Sequence, residues 1–224
     1  MRSKHFVILL LNIFLLNTTM SAQTKSGPIR YLALGDSYTI GESVKESGRW
    51  PVQLAQALGQ QGIEVAPPVI IATTGWRTDN LRNGIQIAQL KEKYDMVSLL
   101  IGVNNQYQGK PADQYAIEFG ALLKMAITLA NDDKDRVFVV SIPDYGFTPF
   151  GQPNQEKISK ELDEFNAINK RITTEQGVQY FNITDISRRG LEDPELVASD
   201  GLHPSAKQYG LWVQRIIQSL EVKR

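Results

Sequence analysis

Cysteine is absent from all 224 residues, and that one absence removes three chemistries. No disulfide can staple the fold, no thiol can act as nucleophile, and no thiolate can hold a metal. Histidine is nearly as scarce: the chain has two, His5 and His203. A zinc site would have to be built almost wholly from carboxylates, an unfavourable ligand set, so no metal and no cofactor is expected. Neither sign of charge is in excess, with 24 basic and 24 acidic residues. They are scattered rather than blocked, and no basic face for nucleic acid is indicated. The leading apolar run, residues 6–16, is broken only by Asn12 and is well short of the roughly 20 residues that span a bilayer.

That run has informative flanks. Arg2, Lys4 and His5 precede it, and a short polar stretch ending in Ser21 and Ala22 follows. Charged, apolar and small-residue segments in that order make a secretory signal. The expectation is a signal peptide over 1–22 and one domain over 23–224, exported to the periplasm or secreted, with no stable membrane insertion after cleavage. An uncleaved anchor is the alternative. Without Cys after the run, a lipidated anchor is excluded. Removal of the signal leaves His203 as the only histidine.

What is present reads as an ordinary globular domain, 42% hydrophobic and 21% charged. Short β-branched apolar runs at 29–34, 69–72, 96–101, 137–142 and 178–183 predict strands. Between them lie helical faces: Trp50, Leu54 and Leu58; Leu81, Ile85 and Ala88; Tyr115, Phe119, Leu122, Ala126 and Leu129; Ile158, Leu162, Phe165 and Ile172. A last helix carries Tyr209, Val213, Ile216 and Leu220, with Pro204 in its first turn. Alternation of this kind predicts an α/β fold, a three-layer α/β/α sandwich around a parallel sheet of about five strands. Ligands of such sheets sit beyond the carboxyl ends of the strands, so the segments there matter most.

Gly35-Asp36-Ser37 follows the first strand, Thr73-Thr74-Gly75-Trp76 the second, and Gly102-Val103-Asn104-Asn105 the third; Asp200-Gly201-Leu202-His203 stands before the last helix. Each block alone has a plain reading. Ser37 could cap a helix, Gly75 and Gly102 could be turns, and Asn104 and Asn105 could be turn residues. Asp36 reads as a brace for the turn, and Trp50 and Trp76 as packing residues.

Together, in order and spacing, the four blocks resemble the marker blocks of the SGNH (GDSL) hydrolases, over nearly all of the mature chain. One departure is Asn105, where that family often has Asp; this leaves open what an acid there would have contacted. The resemblance implies a flavodoxin-like SGNH hydrolase fold and hydrolysis of carboxylic acyl esters through an acyl-serine, without cofactor. The substrate would be a small molecule, glycan or lipid acyl ester, as for a lysophospholipase, an acyl esterase or a carbohydrate acetylesterase. Ser37 would be the nucleophile, His203 its base and Asp200 the acid that orients His203. The oxyanion donors would be the amides of Ser37 and Gly75 and the side chain of Asn104. The chemistry agrees: a serine hydroxyl needs a neighbouring base, and His203 is the only side chain whose ordinary pKa is near neutral. Residues 144–154, with Tyr145, Phe147 and Phe150, are expected either to border the substrate pocket or to pack as a surface loop. The competing class is a non-enzymatic α/β protein, either a flavodoxin-like binder in which residues 37–41 would cradle a phosphate or a carbohydrate-binding relative.

Overall fold

The computed structural model describes residues 27–223; the signal segment expected at 1–22 lies outside them. Five parallel strands pair in one sheet: β1 (Tyr31–Gly35), β2 (Val69–Ala72), β3 (Met96–Leu100), β4 (Val137–Val140) and β5 (Gln179–Phe181). Their order across the sheet is β2-β1-β3-β4-β5. The α-helices are α1 (Ser37–Ile40), α2 (Trp50–Gln60), α3 (Thr78–Ile87), α4 (Val103–Tyr107), α5 (Ala112–Leu129), α6 (Gln155–Glu175), α7 (Thr184–Ser187) and α8 (Ala206–Ile217). The chain steps outward from β1 to β2, then reverses through β3, β4 and β5. Right-handed crossovers then place α2 on one face and α3, α5 and α6 on the other. The packing agrees: α2 lies against α8, and α3, α5 and α6 pack side by side. The result is the expected three-layer sandwich.

Position in the sheet explains composition. Every residue of β1, β3 and β4 is buried, because helices cover both faces of an interior parallel strand. The edge strand β2 begins at Val69, which is 41% exposed. Trp50, Leu54 and Leu58 carry α2 onto the sheet, with the Trp50 ring edge-on to Phe138 of β4 at 6.4 Å. Truncating one such side chain to Ala would cost about 2–5 kcal/mol.

Several boundaries differ from the sequence pattern. The apolar runs into β4 and β5 outlast the sheet: Ile142 and Ile183 are buried beyond the ladder. Their amides are met by side chains instead, Ile142 N–H donating to Asn166 Oδ1 (2.8 Å) and Ile183 N–H to Ser141 Oγ (2.8 Å). Ala88 lies past the end of α3 and is exposed, while Leu129 and Ile172 are half-buried. Leu220 lies beyond α8 yet packs on the core. Pro204 is not in the first turn of α8. Ser205 caps that helix by accepting from Gln208 N–H (3.2 Å), a role its hydroxyl can fill and a proline cannot. Pro204 bridges to Val197 instead.

One row of the register sets the position of the cleft. Gly35 pairs with Ala72 on one side and Leu100 on the other, so β1, β2 and β3 end level. The segments after these strands emerge side by side at the point where strand order reverses, the crevice in which such sheets hold ligands.

Candidate active site

After β1 the chain turns sharply into α1. A Cβ on Gly35 would stand 2.1 Å from Thr39 Oγ1 and 2.5 Å from the Leu100 carbonyl oxygen, so only glycine allows that approach. Asp36 caps α1, its Oδ1 accepting from Tyr38 N–H at 3.0 Å, as the brace reading expected. Ser37 is thereby the first helical residue, 5% exposed, and its amide is among those a helix start leaves without an intrahelical partner. Asp36 is fully buried, and desolvation pushes its carboxyl up to about 7, with the backbone amides of Tyr38, Asp36 itself and Gly102 pulling the other way. Burial, invisible in composition, thus brings one carboxyl into the neutral range.

After β2, residues 73–76 form a turn closed by Trp76 N–H to the Thr73 carbonyl (3.2 Å). Gly75 sits in it at φ +82°, and a Cβ there would meet nothing within 4 Å; backbone angle, not crowding, requires glycine. Its N–H donates to no acceptor among the described residues. Thr74 Oγ1 hydrogen-bonds Glu42 and ties this turn to the segment after α1. After β3, Asn104 Nδ2 donates to the Trp76 carbonyl (3.0 Å), which fixes the amide and leaves its second N–H without an acceptor among the described residues. Asn105, 1% exposed, points away from the cleft. Its Oδ1 accepts from Thr78 N–H (3.1 Å) and its Nδ2 donates to Thr78 Oγ1 (2.7 Å). The two adjacent amides thus divide, one to the cleft and one to the start of α3.

The fourth block lies on a loop closed by the Val197–Pro204 bridge and by Ala198 N–H to the His203 carbonyl (2.7 Å). Asp200 Oδ1 accepts from the amides of Leu202 and His203, both at 2.9 Å, and Oδ2 meets His203 Nδ1 at 2.7 Å. Burial alone would raise the Asp200 carboxyl. The Ser43 hydroxyl, the His203 and Leu202 amides and the imidazole outweigh it and hold Asp200 well below the ordinary carboxylate range. With Nδ1 engaged, Nε2 is left for the cleft. The imidazole lies edge-on to the Tyr38 ring at 5.8 Å.

Ser37, Gly75, Asn104 and His203 all line one cleft of about 180 Å³, with Tyr38, Thr74, Val103, Tyr107, Tyr145, Phe150 and Leu202. Asp200 stands behind His203, outside the lining. Ser37 Oγ forms no hydrogen bond with a described residue, a geometry that commonly tightens only with substrate bound. Tyr145 and Phe150 of the 144–154 segment reach the cleft, whereas Phe147 does not. Trp50 is wholly buried, and Trp76 packs against Gly84; both are packing residues. Among the described residues no group of three His, Asp or Glu could hold a metal, and no helix is long and apolar enough to cross a membrane. Sequence reasoning missed Tyr107, Leu202 and Ser43. Leu202 lies inside the fourth block and Tyr107 three residues after Asn104, so both were discoverable by position; Ser43 carried no local signal.

The family model of the GDSL-like lipases and acylhydrolases matches residues 33–211, a span that contains all four blocks. The chain belongs to that family. No curated protein sequence matches this GDSL hydrolase, but solved structures share its fold. TesA superposes with a TM-score of 0.68 at 14% identity, covering 86% of this chain and 98% of that one. Axe2, an acetylxylan esterase from Geobacillus stearothermophilus, gives 0.66 at 19%, covering 90% and 99%. A lipase/acylhydrolase from Enterococcus faecalis gives 0.65 at 18%, covering 88% and 99%. At such identities the likeness is one of fold. The Asp that the family often carries after the marker Asn is Asn105 here, and the contact left open by that departure is the pair of bonds to Thr78.

Proposed function

We propose that this GDSL hydrolase is an exported serine esterase that cleaves carboxylic esters of short acyl groups through an acyl-serine. The carrying observation is the 2.7 Å contact between Asp200 and His203 Nδ1 in a cleft that His203 shares with Ser37 and two unengaged donors. His203 Nε2 takes the Ser37 hydroxyl proton as Oγ bonds to the ester carbonyl carbon. The oxyanion lies among the amides of Ser37 and Gly75 and the free N–H of Asn104. Collapse breaks the bond to the leaving oxygen, which receives the proton from His203. Water then repeats the sequence against the acyl-serine, releasing the acid and restoring Ser37.

The cleft's modest size supports a short acyl group, since drug-sized pockets run from about 300 Å³ upward. Past Tyr107, Tyr145 and Phe150 lies a second hollow of about 430 Å³ lined also by Gln106, Asn154 and Lys157. Its mixture of aromatic faces, amides and an ammonium suits a polar alcohol such as a sugar better than a long alkyl chain. A phosphate cradle at 37–41 fits less well, because Ser37, Tyr38 and Thr39 are buried and that reading gives the Asp200–His203 pair no task.

A fluorophosphonate probe should label Ser37 alone, and Ser37→Ala should abolish labelling and hydrolysis. Turnover by Ser37→Ala near the wild-type rate would refute the nucleophile. Across p-nitrophenyl esters, kcat/KM should peak at short acyl chains and fall beyond; a maximum at long chains would refute the acyl assignment.

A further inference from the structure

We infer that Ser43 is a fourth member of the hydrolytic machinery, a positioning residue that tunes the Asp200–His203 pair through the shared carboxylate oxygen. This rests on the reading of His203 as base. Ser43 lies 157 residues before Asp200 in the chain, on the loop after α1, and belongs to none of the marker blocks. Its Oγ donates to Asp200 Oδ2 at 2.6 Å, the same oxygen that meets His203 Nδ1 at 2.7 Å. The other oxygen, Oδ1, is taken by two backbone amides. The carboxylate is therefore held at both ends, and among the described residues Ser43 is the only side chain besides His203 that hydrogen-bonds it.

The backbone supports a specific role. Ser43 has φ +64°, a left-handed conformation that costs a serine more than a glycine. A serine kept in a conformation suited to glycine indicates that its hydroxyl is needed, and such strain gathers at functional sites. The residue is exposed, so packing gives no competing reason for a side chain there. Neighbouring bonds fix the loop: Glu42 N–H returns to the Ser37 carbonyl (3.0 Å) and Glu42 accepts from Thr74. One short segment thus connects the nucleophile, the Gly75 turn and the acid behind the base.

The hydroxyl competes with the imidazole for negative charge on Oδ2. With Ser43 present, less of that charge is offered to the imidazolium; without it, the carboxylate stabilises the protonated base more strongly and is freer to rotate. The ionisable groups of adjoining elements nearest the pair are Tyr38 of α1, edge-on to the imidazole, and Tyr209 of α8, which feels the charge of Asp200; Asp36, Glu42 and Arg49 act in turn on Tyr209. None of them changes with a substitution at 43, so a difference between variants isolates the hydroxyl.

The test compares Ser43→Ala and Ser43→Gly with the wild-type chain. Both should move the midpoint of the rising limb of kcat/KM against pH upward by about half a unit to one unit, the scale of a hydrogen bond to a charged group softened by exposure. Both should lower kcat roughly three- to ten-fold, with KM little changed. The low-field proton resonance of His203 Nδ1–H should shift further downfield as its partner oxygen gains charge. Ser43→Gly relieves the backbone and guards against misfolding: a purely structural turn residue would leave Ser43→Gly at wild-type rate, midpoint and resonance. That result, in an enzyme whose Ser37 still takes the fluorophosphonate, overturns the inference alone. Loss of labelling dependence on Ser37 would instead overturn the esterase reading on which it rests.

Discussion

Adjacent asparagines at 104 and 105 offer a sharp separation of rate from stability. Asn104→Ala removes a half-exposed amide whose one side-chain bond among the described residues is to the Trp76 carbonyl. Its loss should cost stability little, about 0.5–1.5 kcal/mol, but should lower kcat roughly 10²- to 10³-fold by removing the proposed oxyanion donor. Asn105→Ala should do the reverse. It leaves Thr78 N–H, at the buried start of α3, without its acceptor, and an orphaned buried donor costs about 1–3 kcal/mol. Adding the void left by the amide gives about 2–4 kcal/mol. In a chain of this size that lowers Tm by roughly 5–15 °C. Asn105→Asp is equally telling. Hydrogen bonds run in one direction here, Asn105 Nδ2–H to Thr78 Oγ1, and Thr78 O–H to Glu118. An acid at 105 can still accept from the Thr78 amide but cannot donate, and it would compete with Glu118 for the single hydroxyl proton. It should therefore destabilise, more so as pH rises and the new carboxyl ionises. Thermal melts and steady-state kinetics well below every midpoint would check the set. If Asn105→Ala lowers kcat more than Asn104→Ala while folded, the division of labour is refuted.

Two further outcomes follow from charge. Asp36 has a folded-state pKa raised to about 7, so the native state holds a proton that the unfolded chain releases near 4. Stability should fall as pH rises from about 4 to about 7, and Asp36→Asn should flatten that slope in Tm against pH; an unchanged slope would remove Asp36 as its source. Asp200, depressed rather than raised, contributes stability that persists above the ordinary carboxylate pKa and is lost only in stronger acid, and Asp200→Asn should remove that acid-side loss. Diethylpyrocarbonate should inactivate the enzyme with modification of His203, reversibly by hydroxylamine, and full activity after complete modification would remove it as base.

Much of the fold and the site is legible in the sequence. Interior strands announce themselves because helices bury both their faces, leaving runs such as residues 96–101 almost wholly apolar. The four blocks are legible because turns at strand ends demand particular residues: Gly35 for close approach, Gly75 for positive φ, Asp36 for a cap. Less legible are features set by partners far away in the chain. The ladder ends of β4 and β5 depend on Asn166 and Ser141 reaching across to satisfy amides. Asp36 gains its unusual protonation from burial that composition does not record. Asn105 looks like a lost acid until Thr78 stands beside it, and Ser43 is an unremarked serine in any local window.

The distance in sequence between Ser43 and Asp200 also orders events in time. The proposed nucleophile and oxyanion donors hang on three neighbouring strands that pair within the first half of the chain. His203 and Asp200, the proposed base and its acid, arrive from the far end, and bringing them into place closes a loop of 157 residues. Long closures of that kind come late in folding, after local and sheet contacts have offset part of their entropy. A refolding chain should hence bury Trp50 of α2 and Trp212 of α8 and seat the 197–204 loop in one late step, with hydrolytic activity appearing no earlier than that docking.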